Sequence, residues 1–359
     1  MLLFRGGLRA LVTSPLFDVQ EVTKLFPLTR EIGDIVRGGP RLSIHAVDGV
    51  SLQIGTGETL GLIGESGSGK TTLGWLIARL HDVTSGQIKF EGQDITRLRG
   101  SALRQWRRQV QVVFQDPVGS LDPRMRVWQI VGEPIRAQFP SVTKQELKDR
   151  VSNLLPMVGL PEGSLEQYPH EFSGGGRQRL SLARALGLNP KLVILDEPTS
   201  ALDVAVQAQI LNRLVSLQQE KGFAYLLITH NVAAVRYVAD RVAVMYLGKL
   251  AEVGPVRGVL EHPVHPYTKA LLAALPEINV GRRKARYRVG GEIPTLVHPP
   301  PGCRFASRCP FVIDRCRVEE PPLRSIPGYP DRTVACHRAE EIGDVSPQEL
   351  LQPMAAPSS

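Results

Sequence analysis

Short apolar runs alternate with longer segments of helical periodicity through the middle of the chain. Residues 192–195 and 224–229 have the uninterrupted apolar character of strands buried on both faces. Residues 177–188 and 207–221 show helical periodicity, and an Asn-Pro pair at 189–190 ends the first of these two helices. Alternating strands and helices of this kind predict an α/β fold built on a largely parallel sheet.

Further strands are predicted before and after this region. Two apolar runs, 46–54 and 59–63, are joined by the turn 55–57, which predicts a pair of neighbouring strands. Another strand is predicted at 110–114. The apolar runs on either side of Gly248 predict a hairpin.

The pattern weakens in two places. Residues 129–160 are mostly helical in pattern, with interruptions at Pro134, Pro140 and Pro156. Beyond residue 276 prolines, arginines and cysteines dominate and the periodicity fades, so we expect a domain boundary within 254–276.

Composition narrows the class of protein. The chain has 359 residues, of which 42% are hydrophobic and 22% charged, as in ordinary globular proteins. It has no apolar run long enough to cross a bilayer, and Arg5 and Arg9 interrupt the apolar N-terminus, so we expect a cytosolic chain without a secretory signal. A net charge of +8 fits nucleic-acid binding as well as a protein that handles nucleotide phosphates beside anionic lipid.

A phosphate-binding loop follows the predicted strand at 59–63. The pattern G-x-x-x-x-G-K-[ST] is complete and comes between a strand and a helix, where backbone N–H groups and the helix N-terminus can surround phosphates. Lys70 is expected to neutralise the β- and γ-phosphates, and the hydroxyl of Thr71 is expected to bind Mg²⁺. The predicted nucleotide ligands are Gly64, Glu65, Ser66, Gly67, Ser68, Gly69, Lys70, Thr71 and Thr72.

Two acidic residues follow the buried strand at 192–195. Asp196 at the strand end can reach Mg²⁺ directly or through water, and Glu197 can act as the general base that polarises the attacking water. A phosphate loop alone fits a kinase, a GTPase, a helicase or a transporter ATPase, and the two acidic residues narrow this range of classes.

Residues 171–179, Glu-Phe-Ser-Gly-Gly-Gly-Arg-Gln-Arg, resemble the signature motif of ABC ATPases. Ser173, Gly174 and Gly175 stand at the start of a predicted helix, whose N-terminus favours anions. The resemblance implies that two subunits dimerise head to tail. In that arrangement these three residues contact the γ-phosphate held by the partner's phosphate loop.

The other landmarks of the family follow in its order. Gln115 resembles the glutamine that touches Mg²⁺ and couples to the membrane subunits, and His230 resembles the histidine that contacts the γ-phosphate. Residues 200–203 resemble the loop of the dimer contact. The resemblance therefore implies Glu197, His230 and Gln115 as catalytic residues, and Thr71, Gln115 and Asp196 as the residues around Mg²⁺.

The resemblance also implies an architecture. We expect an ABC ATPase domain at 19–260 with a RecA-like core, an antiparallel β subdomain and an α-helical subdomain at about 116–172. An N-terminal tail (1–18), a small cysteine-containing extension (261–340) and a flexible tail (341–359) complete the predicted organisation.

Two positions remain open within this resemblance. Phe26 is the candidate for the aromatic ring that stacks on adenine, with His45 as the alternative. Gly176 stands where the family signature usually has glutamine. Either this substitution is tolerated, or it makes the two ATP sites of a heterodimer unequal.

All four cysteines lie near the C-terminus, at Cys303, Cys309, Cys316 and Cys336. A cytosolic location argues against disulfides, and the spacing is not that of paired zinc knuckles. Four thiolates can hold a [4Fe–4S] cluster or zinc. The segment 302–311 around the first two cysteines resembles the C-terminal extension of peptide-importer ATPases, and this resemblance favours the cluster over zinc and over free thiols.

The segments 265–276 and 302–311 resemble the C-terminal extension of peptide- and nickel-importer ATPases. We therefore expect an ATPase subunit that energises a di- or oligopeptide importer on the cytoplasmic face of the membrane. Its expected partners are a related second ATPase subunit, two membrane permease subunits and, indirectly, an extracytoplasmic peptide-binding protein. Alternatives are a nickel or other small-solute importer, an exporter ATPase, a regulatory nucleotide-binding subunit, or a soluble ABC ATPase of DNA repair or translation. The last would carry a coiled-coil insertion or a second cassette, so we expect no nucleic-acid partner.

Overall fold

The computed structural model describes residues 15–28, 42–274 and 294–343. Most of the predicted N-terminal tail (1–14) and nearly all of the predicted flexible tail (344–359) lie outside the described residues. The described strands are β1 (Phe17–Pro27), β2 (Ser43–Ile54), β3 (Thr59–Ile63), β4 (Ser85–Phe90), β5 (Gln93–Asp94), β6 (Val110–Val113), β7 (Leu192–Asp196), β8 (Ala224–Ile228), β9 (Arg241–Tyr246), β10 (Lys249–Pro255), β11 (Arg324–Ile326) and β12 (Tyr329–Val334).

The helices alternate with these strands through most of the described ranges. They are α1 (Lys70–Ile77), α2 (Gly100–Trp106), α3 (Pro117–Ser120), α4 (Val127–Gln138), α5 (Lys144–Leu154), α6 (Gly174–Leu186), α7 (Val204–Lys221), α8 (Val232–Val238), α9 (Val256–Glu261), α10 (Pro266–Ala273), α11 (Asp314–Val318) and α12 (Ala339–Ile342). The helix predicted at 207–221 begins three residues earlier, because Oδ1 of Asp203 accepts a hydrogen bond from the N–H of Val206 at 2.9 Å and caps α7.

Within the described residues the larger sheet has eight strands in the order β11-β12-β10-β9-β3-β8-β7-β6. The five strands from β9 to β6 are parallel. Their apolar runs are buried on both faces, as the sequence pattern predicts for a parallel sheet, with helices on one face and the smaller sheet and α1 on the other. The hairpin predicted around Gly248 is confirmed as β9 and β10.

The described residues form a second, antiparallel sheet in the order β2-β1-β4-β5. The prediction that the two runs on either side of the turn 55–57 pair with each other is wrong. β2 pairs with β1 in this smaller sheet, whereas β3 enters the larger one. The turn joins two layers, and apolar residues of both sheets share one core between them.

The segment after β6 is helical, as predicted, but Pro134 does not interrupt it. Pro134 lies inside α4, which runs on to Gln138. Val127, Ile130 and Val131 of this helix are buried in the largest hydrophobic cluster, and this packing outweighs the lost backbone hydrogen bond. α5 begins at a capping box, in which Thr143 and Glu146 satisfy each other's backbone N–H groups.

The C-terminal segment contains strands that the sequence pattern did not predict. β12 pairs antiparallel with β10 and then with β11, so this segment extends the larger sheet. Glu252 of β10 is fully buried and accepts hydrogen bonds from the N–H groups of Val264 (3.1 Å) and His265 (3.0 Å). It also lies 3.4 Å from Arg332 of β12, and these contacts fix the start of α10 and β12 to the sheet.

Candidate functional site

The predicted nucleotide-binding residues meet at one edge of the larger sheet. In the strand register Leu62 pairs with Ile228, and Ile228 in turn pairs with Asp196, so β3, β7 and β8 end at the same level. The phosphate loop, Glu197 and His230 follow these three strand ends directly. The carboxyl edge of a parallel sheet is where α/β proteins bind their ligands.

The phosphate loop turns tightly between β3 and α1. Gly64 and Gly69 have φ angles of 154° and 100°, and a Cβ on either would come within 2.1 Å of a backbone oxygen. Only glycine fits these positions. Ser66 and Gly67 form the exposed tip of the loop.

Lys70 is folded into the loop that it follows. Its Nζ donates to the carbonyl oxygens of Gly64 (2.9 Å) and Glu65 (2.8 Å) and lies 3.3 Å from Oγ of Ser68. Burial lowers the pKa of Lys70, and the negative charges of Glu197 and Asp196 oppose that shift. The ammonium group is therefore held where it can meet phosphate oxygens.

Thr71 and Asp196 form the next contact along the edge. The hydroxyl of Thr71 donates to Oδ1 of Asp196 at 3.1 Å. Burial raises the pKa of Asp196, while this hydrogen bond opposes the shift. A hydroxyl and a carboxylate fit the pattern for Mg²⁺, which takes one or two protein ligands and completes its shell with phosphate and water. Thr72 lies in the first turn of α1.

Glu197 is held in a constrained geometry. Its φ angle of 48° is in the left-handed region, which is rare for a residue with a side chain. Its carboxylate accepts from the hydroxyl of Thr229 (3.2 Å) and the N–H of His230 (3.1 Å), and lies 2.7 Å from Nδ1 of His230. Strain of this kind concentrates at functional sites.

Gln115 also belongs to this edge. Val113 of β6 pairs with Leu195 of β7, so Gln115 and Glu197 each lie two residues past a matched pair. The Gln115 side chain is exposed at the end of its strand.

Neither candidate for the adenine-stacking ring is decided by the structure. Phe26 lies on β1, with its ring edge-on to His81 (5.7 Å between centroids) and 5.0 Å from Nζ of Lys24. The backbone N–H of His45 donates to Leu296, and its ring lies 3.4 Å from Asp48. Phe26 therefore stays a prediction.

Comparison with known proteins identifies the family. Residues 47–200 match the ABC transporter family, and residues 251–316 match the C-terminal region of oligopeptide/dipeptide transporters. The chain is 47% identical over 326 residues to the probable peptide ABC transporter ATP-binding protein y4tS of Sinorhizobium fredii, which covers 91% of this chain and 90% of the relative. This chain belongs to the ABC transporter ATP-binding proteins.

Two further comparisons agree with this assignment. The ABC protein is 46% identical over 299 residues to the di/tripeptide transport ATP-binding protein DppF of Pseudomonas aeruginosa, covering 83% of this chain and 91% of the relative. Its fold is similar to that of the dimeric ATP-binding cassette MJ0796 bound to ADP and Pi, with a TM-score of 0.59 and 28% identity over 67% of this chain and 99% of that one. The predicted ABC ATPase fold and the ATPase class of enzyme are thereby confirmed. In the described ranges, every helix is too short or too polar to span a bilayer.

The signature of this ABC ATPase, residues 171–179, leads into α6. Oγ of Ser173 accepts from the N–H of Gly176 at 3.2 Å and caps α6. Ser173 and Gly174 are exposed, and a Cβ on Gly175 would come within 2.5 Å of Val206.

The four cysteines converge on one small cavity. Cys303, Cys309, Cys316 and Cys336 all line it, beside Phe305, Phe311 and His337. Burial raises the pKa of Cys303 to about 11 and that of Cys309 and Cys336 to about 12, so without a metal these thiols are protonated at neutral pH. Within residues 15–28, 42–274 and 294–343, no group of three or more His, Cys, Asp or Glu side chains is arranged so that it could hold a metal ion. The cluster and zinc thus stay predictions.

Sequence reasoning missed two residues that contact the phosphate loop. The hydroxyl of Tyr267 accepts from the N–H of Glu65 at 2.8 Å, and Arg308 binds the carboxylate of Glu65 at 2.9 and 3.2 Å. Both lie in C-terminal motifs noted above, the His-Pro-Tyr run and the segment between Cys303 and Cys309. Their spacing along the chain gave no sign of a contact with Glu65.

Proposed function

We propose that this chain is the ATP-binding and ATP-hydrolysing subunit of an ABC importer for di- and oligopeptides. The observation that carries the proposal is the coexistence of an ABC ATPase site with a C-terminal region of the oligopeptide/dipeptide transporter type. Two matched relatives have peptide or di/tripeptide in their names, and each match covers nine-tenths of the relative's own length.

The site supports a defined division of labour. Lys70 exchanges its carbonyl partners for the β- and γ-phosphates. Residues 64–69, apart from the N–H of Glu65 that Tyr267 accepts, supply the surrounding donors with Thr71 and Thr72. Mg²⁺, when bound, neutralises charge that develops on the phosphates, and Thr71, Asp196 and Gln115 would hold it or its water shell. Glu197 takes a proton from the attacking water, and His230 orients its carboxylate from 2.7 Å away.

A second ATPase subunit completes each site. Ser173 and Gly174 are exposed and Gly175 is buried at the start of α6, where the helix N-terminus can meet a γ-phosphate held by a partner. With Gly176 in place of the family's glutamine, we expect a related partner chain and two unequal sites. We place the pair at the cytoplasmic face of the membrane, attached to two permease subunits that receive peptide from an extracytoplasmic binding protein, with no nucleic-acid partner.

We include in the proposal a [4Fe–4S] cluster, as a structural or regulatory group, bound by the four cysteines that line one cavity. Anaerobic purification followed by iron, sulfide and visible absorbance measurements tests this. We expect several irons and sulfides per chain, lost when Cys309→Ser is introduced. One zinc per chain would favour the alternative, and metal-free protein would leave free thiols.

Reconstitution tests the proposed cargo. The chain, its partner ATPase and both permease subunits are placed in liposomes with the binding protein, and ATP-dependent uptake is measured for a labelled dipeptide, a labelled pentapeptide and Ni²⁺. We expect uptake of the peptides. Uptake of Ni²⁺ alone would establish the nickel alternative, and ATP hydrolysis stimulated by nucleic acid rather than by the permease would contradict both.

A further inference from the structure

Two residues of the C-terminal extension, Tyr267 and Arg308, hold Glu65 of the phosphate loop. Tyr267 accepts a hydrogen bond from its backbone N–H at 2.8 Å. Arg308 binds both oxygens of its carboxylate, at 2.9 and 3.2 Å. Backbone and side chain of one loop residue are thus both held by residues more than 200 positions away in the chain.

The side chains of Tyr267 and Arg308 are themselves held by neighbouring residues. Tyr267 is fully buried, and its ring centroid lies 4.5 Å from that of Tyr246 and 5.5 Å from that of Phe305. The Arg308 guanidinium lies 5.8 Å from the Tyr246 ring and 5.9 Å from the Phe305 ring, and its side chain is 7% exposed. Aromatic contacts and a bidentate ion pair leave these residues little freedom.

The segment that carries Arg308 is short and has a second anchor. It forms a 3₁₀ turn, Ala306–Arg308, between Cys303 and Cys309. Arg304, at the start of the same segment, forms an ion pair with Asp48 of β2. The segment therefore contacts both β2 and the phosphate loop.

We propose that Tyr267 and Arg308 are positioning residues that hold the phosphate loop in its nucleotide-binding form, so that the C-terminal extension sets the affinity for ATP. The inference rests on the proposed ATPase function and deepens it. Neither residue is expected to touch the nucleotide, and both act through Glu65.

The physical reason is preorganisation. A glycine-rich loop has many conformations, and ordering it on binding would reduce the affinity. Anchoring Glu65 removes much of that freedom beforehand and leaves the N–H groups near the tip of the loop to meet phosphate. A change in the cysteine segment would move Arg308 and release the anchor.

Equilibrium titration of the full-length chain with a fluorescent ATP analogue tests the proposal. We expect Arg308→Gln and Tyr267→Phe each to weaken binding by about tenfold, the scale of a moderate coupling between sites. Arg324→Gln is the matched control, because Arg324 forms a comparable bidentate pair with Glu340 in the same extension without contacting the loop. It should bind the analogue as the wild type does.

A double-mutant cycle separates positioning from other roles. Glu65→Gln should weaken binding to a similar extent, and the Arg308→Gln/Glu65→Gln pair should be no weaker than either single variant. Additive losses would overturn the proposal, because Arg308 would then act by a route other than Glu65. Thermal unfolding without nucleotide identifies any variant that loses binding through misfolding, and Tyr267→Phe, which removes one oxygen, provides the gentler change.

Failure of this inference is distinguishable from failure of the proposed function. Wild-type protein that does not bind the analogue at all would contradict the ATPase assignment. Wild-type protein that binds it, with Arg308→Gln and Tyr267→Phe binding equally well, would overturn only the positioning role.

Discussion

The imidazole Nδ1 of His230 lies 2.7 Å from Oε1 of Glu197, and the backbone N–H of His230 contacts the same oxygen at 3.1 Å. The glutamate is mostly buried and the histidine mostly exposed, with 11% and 70% of their side chains accessible. Glu197 therefore presents its carboxylate from a fixed position, while His230 is free to meet a ligand from the solvent side.

This geometry predicts a separation of binding from hydrolysis. Glu197→Gln keeps the shape and can still accept hydrogen bonds through its amide oxygen, but it cannot take a proton from water. We expect hydrolysis to fall about 10²- to 10⁴-fold while ATP affinity stays within about a factor of two. Phosphate release and equilibrium binding measure the two quantities. Hydrolysis near the wild-type rate would show that Glu197 is not the base.

Gly176 offers a test of the unequal-site hypothesis. The nearest atoms to a Cβ at this position belong to the Phe172 side chain, at 3.0 Å, so Gly176→Gln should fold after a small adjustment. We expect this variant in the assembled transporter to strengthen the weaker ATP site by about tenfold or less, consistent with one or two added hydrogen bonds. Gly175→Ala is the contrasting variant, because its Cβ would come within 2.5 Å of Val206 and disturb α6. Two sites of equal affinity in the wild type would refute the hypothesis.

His265 predicts a pH-dependent term in stability. Burial lowers its pKa to about 4, whereas a histidine in an unfolded chain titrates at about 6.5. The unfolded state therefore takes up the proton first as the pH falls. The contribution of neutral His265 to stability is complete above about pH 6.5. It is lost progressively towards pH 4, and the free energy of unfolding falls by about 3 kcal/mol in total.

Urea unfolding of wild type and His265→Asn across this pH range measures the term. Asparagine can keep the hydrogen bond that Nδ1 of His265 accepts from the N–H of Tyr267 at 3.0 Å, but it does not titrate. Burial raises the pKa of the neighbouring Glu252, which is present in both proteins, so the difference between them isolates the histidine. A difference that does not change with pH would contradict the prediction.

We expect loss of the buried ion pair between Glu252 and Arg332 to destabilise the protein more than loss of an exposed ion pair. Arg332→Met leaves the Glu252 carboxylate buried without its cationic partner, so we expect the free energy of unfolding to fall by about 3 kcal/mol. Arg324→Met removes an exposed pair with Glu340 and should cost less than about 1 kcal/mol. Similar losses for the two variants in denaturant unfolding would argue against a special role for burial.

Local patterns predicted the centre of the site well. The apolar runs before Gly64 and Asp196 were long enough, and their neighbours distinctive enough, to locate β3 and β7. Asp203 and Ser173 begin their helices through short-range hydrogen bonds that a sequence motif can encode.

Local sequence patterns did not predict which strands and which distant side chains pair with each other. An apolar strand can pair with any exposed edge, so the pattern of β2 did not reveal that its partner is β1. β12 contains Pro330, Asp331 and Arg332, which hide its strand character, and burial of Arg332 depends on Glu252. The pair of Arg308 and Glu65 joins residues 243 positions apart, beyond the reach of any periodicity.

The pairing of β10 with β12 has a consequence for synthesis of the chain. The strand that covers the outer side of β10 emerges from the ribosome roughly 80 residues after it. At translation rates of about 5 to 20 residues per second, that side stays open for roughly 4 to 16 s while the rest of the sheet can already assemble. An open strand edge invites pairing with other chains. Nascent protein is therefore most exposed to aggregation in this interval, and slower translation of residues 256–334 lengthens it.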